Sequence, residues 1–263
     1  MTKTAYVRLL QVEPSLGAQL TREEFVEARR LAVAPAVTLP AGDWNARALT
    51  RTLGSGCAFG CMIAEGIVAH DLVLGGRTAT HLLGRGDILV PAVRPSRHLP
   101  LIKVYGVADA TRVAVLGDGF AAVVRRWPAI AGAMLGQAER QMERVAVQQL
   151  ISQLPSADQR IVALLWHLAD RWGRPEGDGV VVPLTVCHEA ISHLVDGRRP
   201  TISAALGRLA DQDLVTRLAN GTWWLATPSR ALLDHSPMAA PAPRAHLLGG
   251  RTRRTVERVD ALR

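Results

Sequence analysis

The spacing of apolar residues changes several times along the chain, and each change predicts a different element. In "TREEFVEARRLAV" an apolar stripe of Phe25, Ala28, Leu31 and Ala32 predicts a short helix, with Thr21 and Glu24 placed as a capping box. From about residue 50 to 120 the period shortens. "GIVAHDLVLGGRTATHLLGRGDILVP" holds Gly75-Gly76 between two β-prone runs, the signature of a two-residue hairpin, and Gly84, Gly86 and Asp87 mark the next turn. The hairpin sets His70 and His81 on opposite strands, where they can face each other. "LIKVYGV" and "TRVAVLG" are further strands, and this density of short strands predicts a small barrel or sandwich. Pro128 to Leu154 then reads as one helix, in which Leu135, Ala138, Met142, Val145 and Gln149 repeat at 3-4-3-4 spacing, a coiled-coil seam for a partner chain. Val147, Leu150, Ile151 and Leu154 form a second stripe that faces the next domain.

After Pro155 a second capping box, Ser156 to Gln159, starts a helix carrying Ile161, Leu164, Leu165, Leu168 and Trp172. "VCHEAISHLVDGRRPTISAALGRL" predicts a short helix, a tight turn and a second helix whose inner face is Ile202, Ala205, Leu206 and Leu209. "LVTRLANGTWWL" follows as a hairpin, read as a type I′ turn at Asn220-Gly221. Helix, turn, helix and β-hairpin in that order make a winged helix-turn-helix. The resulting divisions are a helical segment at 1–40, a β-barrel sensor-like domain at 41–127, the long helix at 128–154, the DNA-binding domain at 155–228 and a tail at 229–263. The tail is Pro/Ala-rich and then Arg-rich, and is expected to be disordered apart from a short helix at "RTVERVDAL".

Composition narrows the class. Apolar residues make up 48% of the 263, which suits a folded chain, and no apolar run approaches the length of a membrane span. The first residues lack a signal peptide's apolar centre, so a cytoplasmic protein without membrane contact is expected. A net charge of +8 favours a polyanionic partner. The three cysteines provide no disulfide framework.

His188, Glu189 and His193 come near the zinc-protease pattern, but His193 is five positions from His188, roughly 140° round a helix, so the two cannot share a metal. No nucleophile–base set or phosphate loop stands out either; neither an enzyme nor a cofactor is expected. The second helix of the motif suits a major groove. Arg198 and Arg199 stand at its start, Thr201 and Ser203 can bond phosphates or base edges, and Arg208 adds a cation further along.

"LLWHLADRWGR…GVVVPLTVCHEAISHLVDGRRPTISAALGRLADQDLVTR" resembles the DNA-binding domain of the CRP/FNR family of bacterial transcription regulators, and the barrel and long helix before it match the same family more loosely. The resemblance implies an α+β chain: a cyclic-nucleotide-binding-like β-barrel (jelly roll), a long dimerisation helix and a C-terminal winged helix-turn-helix. It implies a homodimer on near-palindromic double-stranded DNA, with RNA polymerase and a small-molecule effector in the barrel as further partners. Arg199 falls at the family's principal base-reading position. Pro200 and Ala204 replace a glutamate and a second arginine, which implies a different target sequence. Cys187 stands where relatives have a capping threonine, and His188 becomes a surface or phosphate-side residue. The family's Gly-Glu and Arg-Ser/Thr cyclic-nucleotide signature is not met, since Pro95 separates Arg94 from Ser96; cyclic AMP is not the expected effector. The alternative is a ligand sensor, or a thiol-redox sensor using Cys57 and Cys61, that acts through protein contacts with only non-specific affinity for DNA.

Overall fold

The computed structural model describes residues 5–54, 59–90 and 98–233. Cys57, the Arg94–Ser96 stretch and the tail beyond Leu233 therefore lie outside the described residues. The chain opens with strand β1 (Ala5–Arg8), a one-turn helix α1 (Leu9–Val12) and helix α2 (Arg22–Leu31). The first capping box forms as the sequence predicts: Thr21 Oγ1 accepts from the Glu24 N–H, and Glu24 Oε2 accepts from the Thr21 N–H. Next come β2 (Val33–Leu39), β3 (Gly42–Asn45) and α3 (Ala46–Leu53). Strands β4 (Cys61–Glu65), β5 (Val68–Leu74), β6 (Arg77–Leu83), β7 (Ile88–Leu89), β8 (Ile102–Val107) and β9 (Thr111–Val115) complete the β-rich half.

These strands make two antiparallel sheets, ordered β1-β2-β9-β4-β7 and β3-β8-β5-β6. One buried cluster joins them: Ile63 and Val113 from the first sheet meet Val68, Tyr105 and Val107 from the second. The first forty residues thus supply two strands to this body as well as helices α1 and α2. The Gly75-Gly76 turn is tight, with Leu74 paired to Arg77 and both glycines at positive φ (+57° and +73°), backbone that a Cβ would strain.

Helix α4 (Asp118–Arg126) leads into α5 (Pro128–Ser152). Ile130 and Gln137 of α5 are buried against the first half, and Ile151 against the second. Its predicted seam is open to solvent in the single chain: Leu135 is 74% and Met142 72% exposed. In the second stripe, Val147 and Ile151 pack on the C-terminal core while Leu150 stays exposed, because its position on the helix turns it away from that core.

The C-terminal part comprises α6 (Ala157–Trp172), β10 (Arg174–Glu176), β11 (Gly179–Val182), α7 (His188–Leu194), α8 (Arg199–Asp211), β12 (Val215–Arg217) and β13 (Trp223–Ala226), with sheet order β10-β11-β13-β12. Two expectations change here. The wing is not a two-residue hairpin: Arg217 pairs with Trp223, Leu218 accepts from the Gly221 N–H, and Gly221 has positive φ while Asn220 does not. The Asn220 carboxamide instead accepts from the Thr222 N–H and hydroxyl, which favours the longer loop. Residues 229–233, expected to begin the tail, lie in a 3-10 segment packed on α6; Ser229 is buried and its hydroxyl accepts from Trp166 Nε1 at 2.9 Å. An indole N–H buried in a core needs such a partner.

Candidate nucleic-acid interface

Local chemistry fixes the geometry of α7 and α8. Cys187 caps α7, its sulfur accepting from the Ala190 N–H at 3.5 Å. Helix α7 ends with Asp196 at φ +48° and the Gly197 N–H bonded to the Ser192 carbonyl, and α8 ends likewise with Asp213 at φ +54° and the Leu214 N–H bonded to the Leu209 carbonyl. Both closures follow the Schellman pattern, which turns the chain sharply after each helix. Beneath the pair, Ile191, Leu194, Ile202, Ala205, Leu206 and Leu209 join α6 and Trp223 in one core.

With that face buried, α8 presents Arg199, Pro200, Thr201, Ala204, Gly207 and Arg208 to solvent, and Arg198 precedes it as an exposed cap. Ala204 and Gly207 are small, and a Cβ built on Gly207 would meet nothing within 4 Å. A convex helix with small residues at its centre and cations at its edges can approach a phosphate-lined groove closely.

The six residues singled out from the sequence are not all equally available. Arg198, Arg199 and Thr201 are exposed. Arg208 is exposed but ion-paired to Asp158 of α6 at 2.5 Å. Ser203 and His188 are half-buried and hold each other, with Oγ and Nδ1 3.0 Å apart. The His188 ring also lies against Trp223, with centroids 6.1 Å apart. Burial first, then the charges of Arg217 and Arg199, push its pKa below the usual histidine value. A neutral imidazole in that place braces α7 against α8. The same charges reveal a residue missed in the sequence: Arg217, exposed on the wing strand, lies on the Arg199 side of the domain, and only the wing's fold brings it there.

Two features lie between this domain and the barrel. The first is Asp87, fully buried in the turn after β6. It is ion-paired to Arg144 of α5 at 2.5 Å and to Arg171 of α6 at 2.6 Å, and it accepts from the Gly84 N–H at 2.8 Å. Gln148 of α5 adds to the junction by donating to the Thr80 and Leu194 carbonyls. The second is a cavity of about 540 Å³ between the β5–β6 hairpin, α5 and α7. Its lining is chiefly apolar, with Leu72, Leu101, Val145 and Leu194 beside His70 and His81. The two histidines are directly paired across the strands, and the buried Nε2 of each finds no partner among the described residues. Burial, helped by His70 and Arg144, lowers the His81 pKa to about 4, so both rings present neutral nitrogens near pH 7. Cys61 is buried, with its thiol 3.6 Å from the Leu89 carbonyl.

No protein-family model and no curated protein matches the chain in sequence. Solved structures do match its fold. A CooA mutant from Carboxydothermus hydrogenoformans aligns at TM-score 0.58 and 16% identity, covering 88% of this chain and 96% of that one. A CRP-family transcriptional regulator from Thermus thermophilus aligns at 0.52 and 21%, covering 68% and 90%. The chain has the CRP/FNR fold. A cyclic nucleotide-binding domain containing protein from Listeria monocytogenes, at 0.59 and 14%, covers 83% of this chain and 99% of that one. The CRP/FNR fold therefore extends from the cyclic-nucleotide-binding-like barrel through α5 to the winged domain, in the order the sequence resemblance implies. The Thermus neighbour is described as a transcriptional regulator, as is a putative CRP/FNR-family protein from Eubacterium rectale that aligns at TM-score 0.50 and 15% identity, covering 84% of this chain and 98% of that one. No helix among the described residues is long and apolar enough to cross a membrane.

Proposed function

We propose that the chain is a homodimeric transcription regulator that reads a near-palindromic DNA site with α8. The observation that carries this reading is the outward face of α8, where Arg199 and Thr201 flank the small residues Ala204 and Gly207. Arg199 is the base-reading residue: a guanidinium at a recognition helix's start can bond guanine O6 and N7 together. Arg198 and Arg217 are phosphate contacts, and Thr201 bonds a phosphate or base edge. Arg208, Ser203 and His188 act from behind, holding α8 on α6 and α7. The exposed seam of α5 is the dimer contact, and pairing along it sets two copies of α8 in successive major grooves, about 34 Å apart. The chiefly apolar cavity beside His70 and His81 suits an uncharged small effector better than a phosphate, since among its described lining residues the one guanidinium, Arg77, is already paired to Asp196.

Selection from random duplexes at about 0.15 M salt, where non-specific attraction is screened, tests the reading. An enriched two-fold motif is expected. Arg199→Ala should then relax preference at one base pair per half-site, at a cost of about 1–3 kcal/mol. Steep salt dependence with no enriched motif, with and without ligands, would leave only electrostatic binding and reject sequence reading.

A further inference from the structure

The geometry points to a binding site for a small, multiply charged anion in a cleft where the barrel, α5 and α6 meet. It lies on the side of α5 away from the apolar seam and does not rest on the DNA reading. The cleft has a volume of about 470 Å³, within the size range of small-molecule sites. Four guanidiniums line it: Arg85 from the turn after β6, Arg140 and Arg144 from α5, and Arg171 from α6. Two carboxylates stand among them, Glu13 and the buried Asp87. That leaves a formal excess of two positive charges.

The existing partners do not satisfy this excess. Asp87 is shared between Arg144 and Arg171. Glu13 Oε1 already accepts from the Ser15 N–H and hydroxyl. Arg85 and Arg140 have no carboxylate within 4.0 Å among the described residues. Arg85 donates to the Val12 and Gln11 carbonyls, and Arg140 to Gln137 Oε1 and Ser15 Oγ. These neutral acceptors fix each guanidinium's place without cancelling its charge. Arg144 Nε is buried and has no partner among the described residues. Buried donors of this kind are ordinarily satisfied. Burial first, then Arg171 and Arg140, push the Arg144 pKa below the ordinary arginine value, against the pull of Asp87 and Glu13. An anion seated in the cleft relieves that crowding.

Preorganised guanidinium forks match phosphate and carboxylate oxygens alike. The ligand class is therefore a free phosphorylated or polycarboxylate small molecule. Bound there, it bridges Arg85 of the barrel, Arg140 of α5 and Arg171 of the C-terminal domain, so its binding fixes the angle between domains.

Calorimetric titration of the full chain with pyrophosphate, and separately with citrate, at constant ionic strength tests the site. Saturable binding of at least one anion is expected, one per chain; which one binds assigns the phosphate or carboxylate source. Arg140→Gln should weaken it at least tenfold. Arg51→Gln, which removes an exposed charge from α3, should leave it unchanged. Arg140→Lys keeps the charge but loses the fork, and should give intermediate affinity, a graded response that misfolding of a variant would not produce. Absence of saturable binding for both anions, or equal losses in the Arg140 and Arg51 variants, overturns the site.

Discussion

A carboxylate taken out of water is costly unless its lone pairs are occupied, and removing part of such a group leaves its partners uncompensated. Asp87 has two guanidiniums and a backbone N–H, and its ion pairs join three segments of the chain. Asp87→Ala should therefore lower unfolding stability by about 3 kcal/mol in urea denaturation. A loss under about 1 kcal/mol would show that the buried pairs contribute little net. The sequence marks Asp87 only as a turn residue after Gly86. Its ion partner Arg144 is 57 positions away and Arg171 farther still, and no local pattern links them. The same holds at the outward face of α8. That Arg198, Arg199 and Thr201 stand at the start of a helix was legible because a helix start has its own grammar. The Arg208–Asp158 pair and the His188–Ser203 contact were not, because each partner lies on another helix.

At the scale of elements, periodicity located α5 and its packing on the C-terminal core. Its inner face is buried, and Leu135, Met142 and Val145 remain exposed along the other side. If two copies meet there, a charge placed in the seam is desolvated with no partner. Met142→Glu should shift the chain from dimer to monomer in light scattering, with its helical content unchanged because the side chain is 72% exposed within one chain. A Met142→Glu variant that remains dimeric would place the partner elsewhere. Turn chemistry was less readable. Gly75-Gly76 gave the tight hairpin expected, whereas Asn220-Gly221 became part of a longer loop through a side-chain hydrogen bond. The end of the domain was also misplaced. Ser229 belongs to the core only because Trp166 needs an acceptor, and that need is invisible before α6 is packed.

Over the whole molecule, histidines held neutral by burial make stability depend on pH. His81 titrates near 4 in the folded chain, below the ordinary 6.5 of the unfolded one, and His70 and His167 are also lowered. Above pH 6.5 both states are neutral at this site and nothing is lost. As pH falls from 6.5 towards 4 the unfolded chain takes up the proton first, so His81 alone removes up to about 3 kcal/mol. Urea midpoints measured across that window should fall with acidity, and His81→Leu should flatten part of the slope; an unchanged slope would assign the loss to other groups. The order of parts — barrel, long helix, winged domain — was set by the sequence itself, because period, caps and turn residues act within a few positions and survive without knowledge of the rest. Tertiary structure alone decided how the parts meet: the sheet that draws in the first forty residues, the paired histidines over an apolar cavity, and four arginines gathered round one cleft, two of them on a buried carboxylate. Those arrangements depend on distance through space between residues far apart in the chain, where burial and charge act and sequence spacing carries no information.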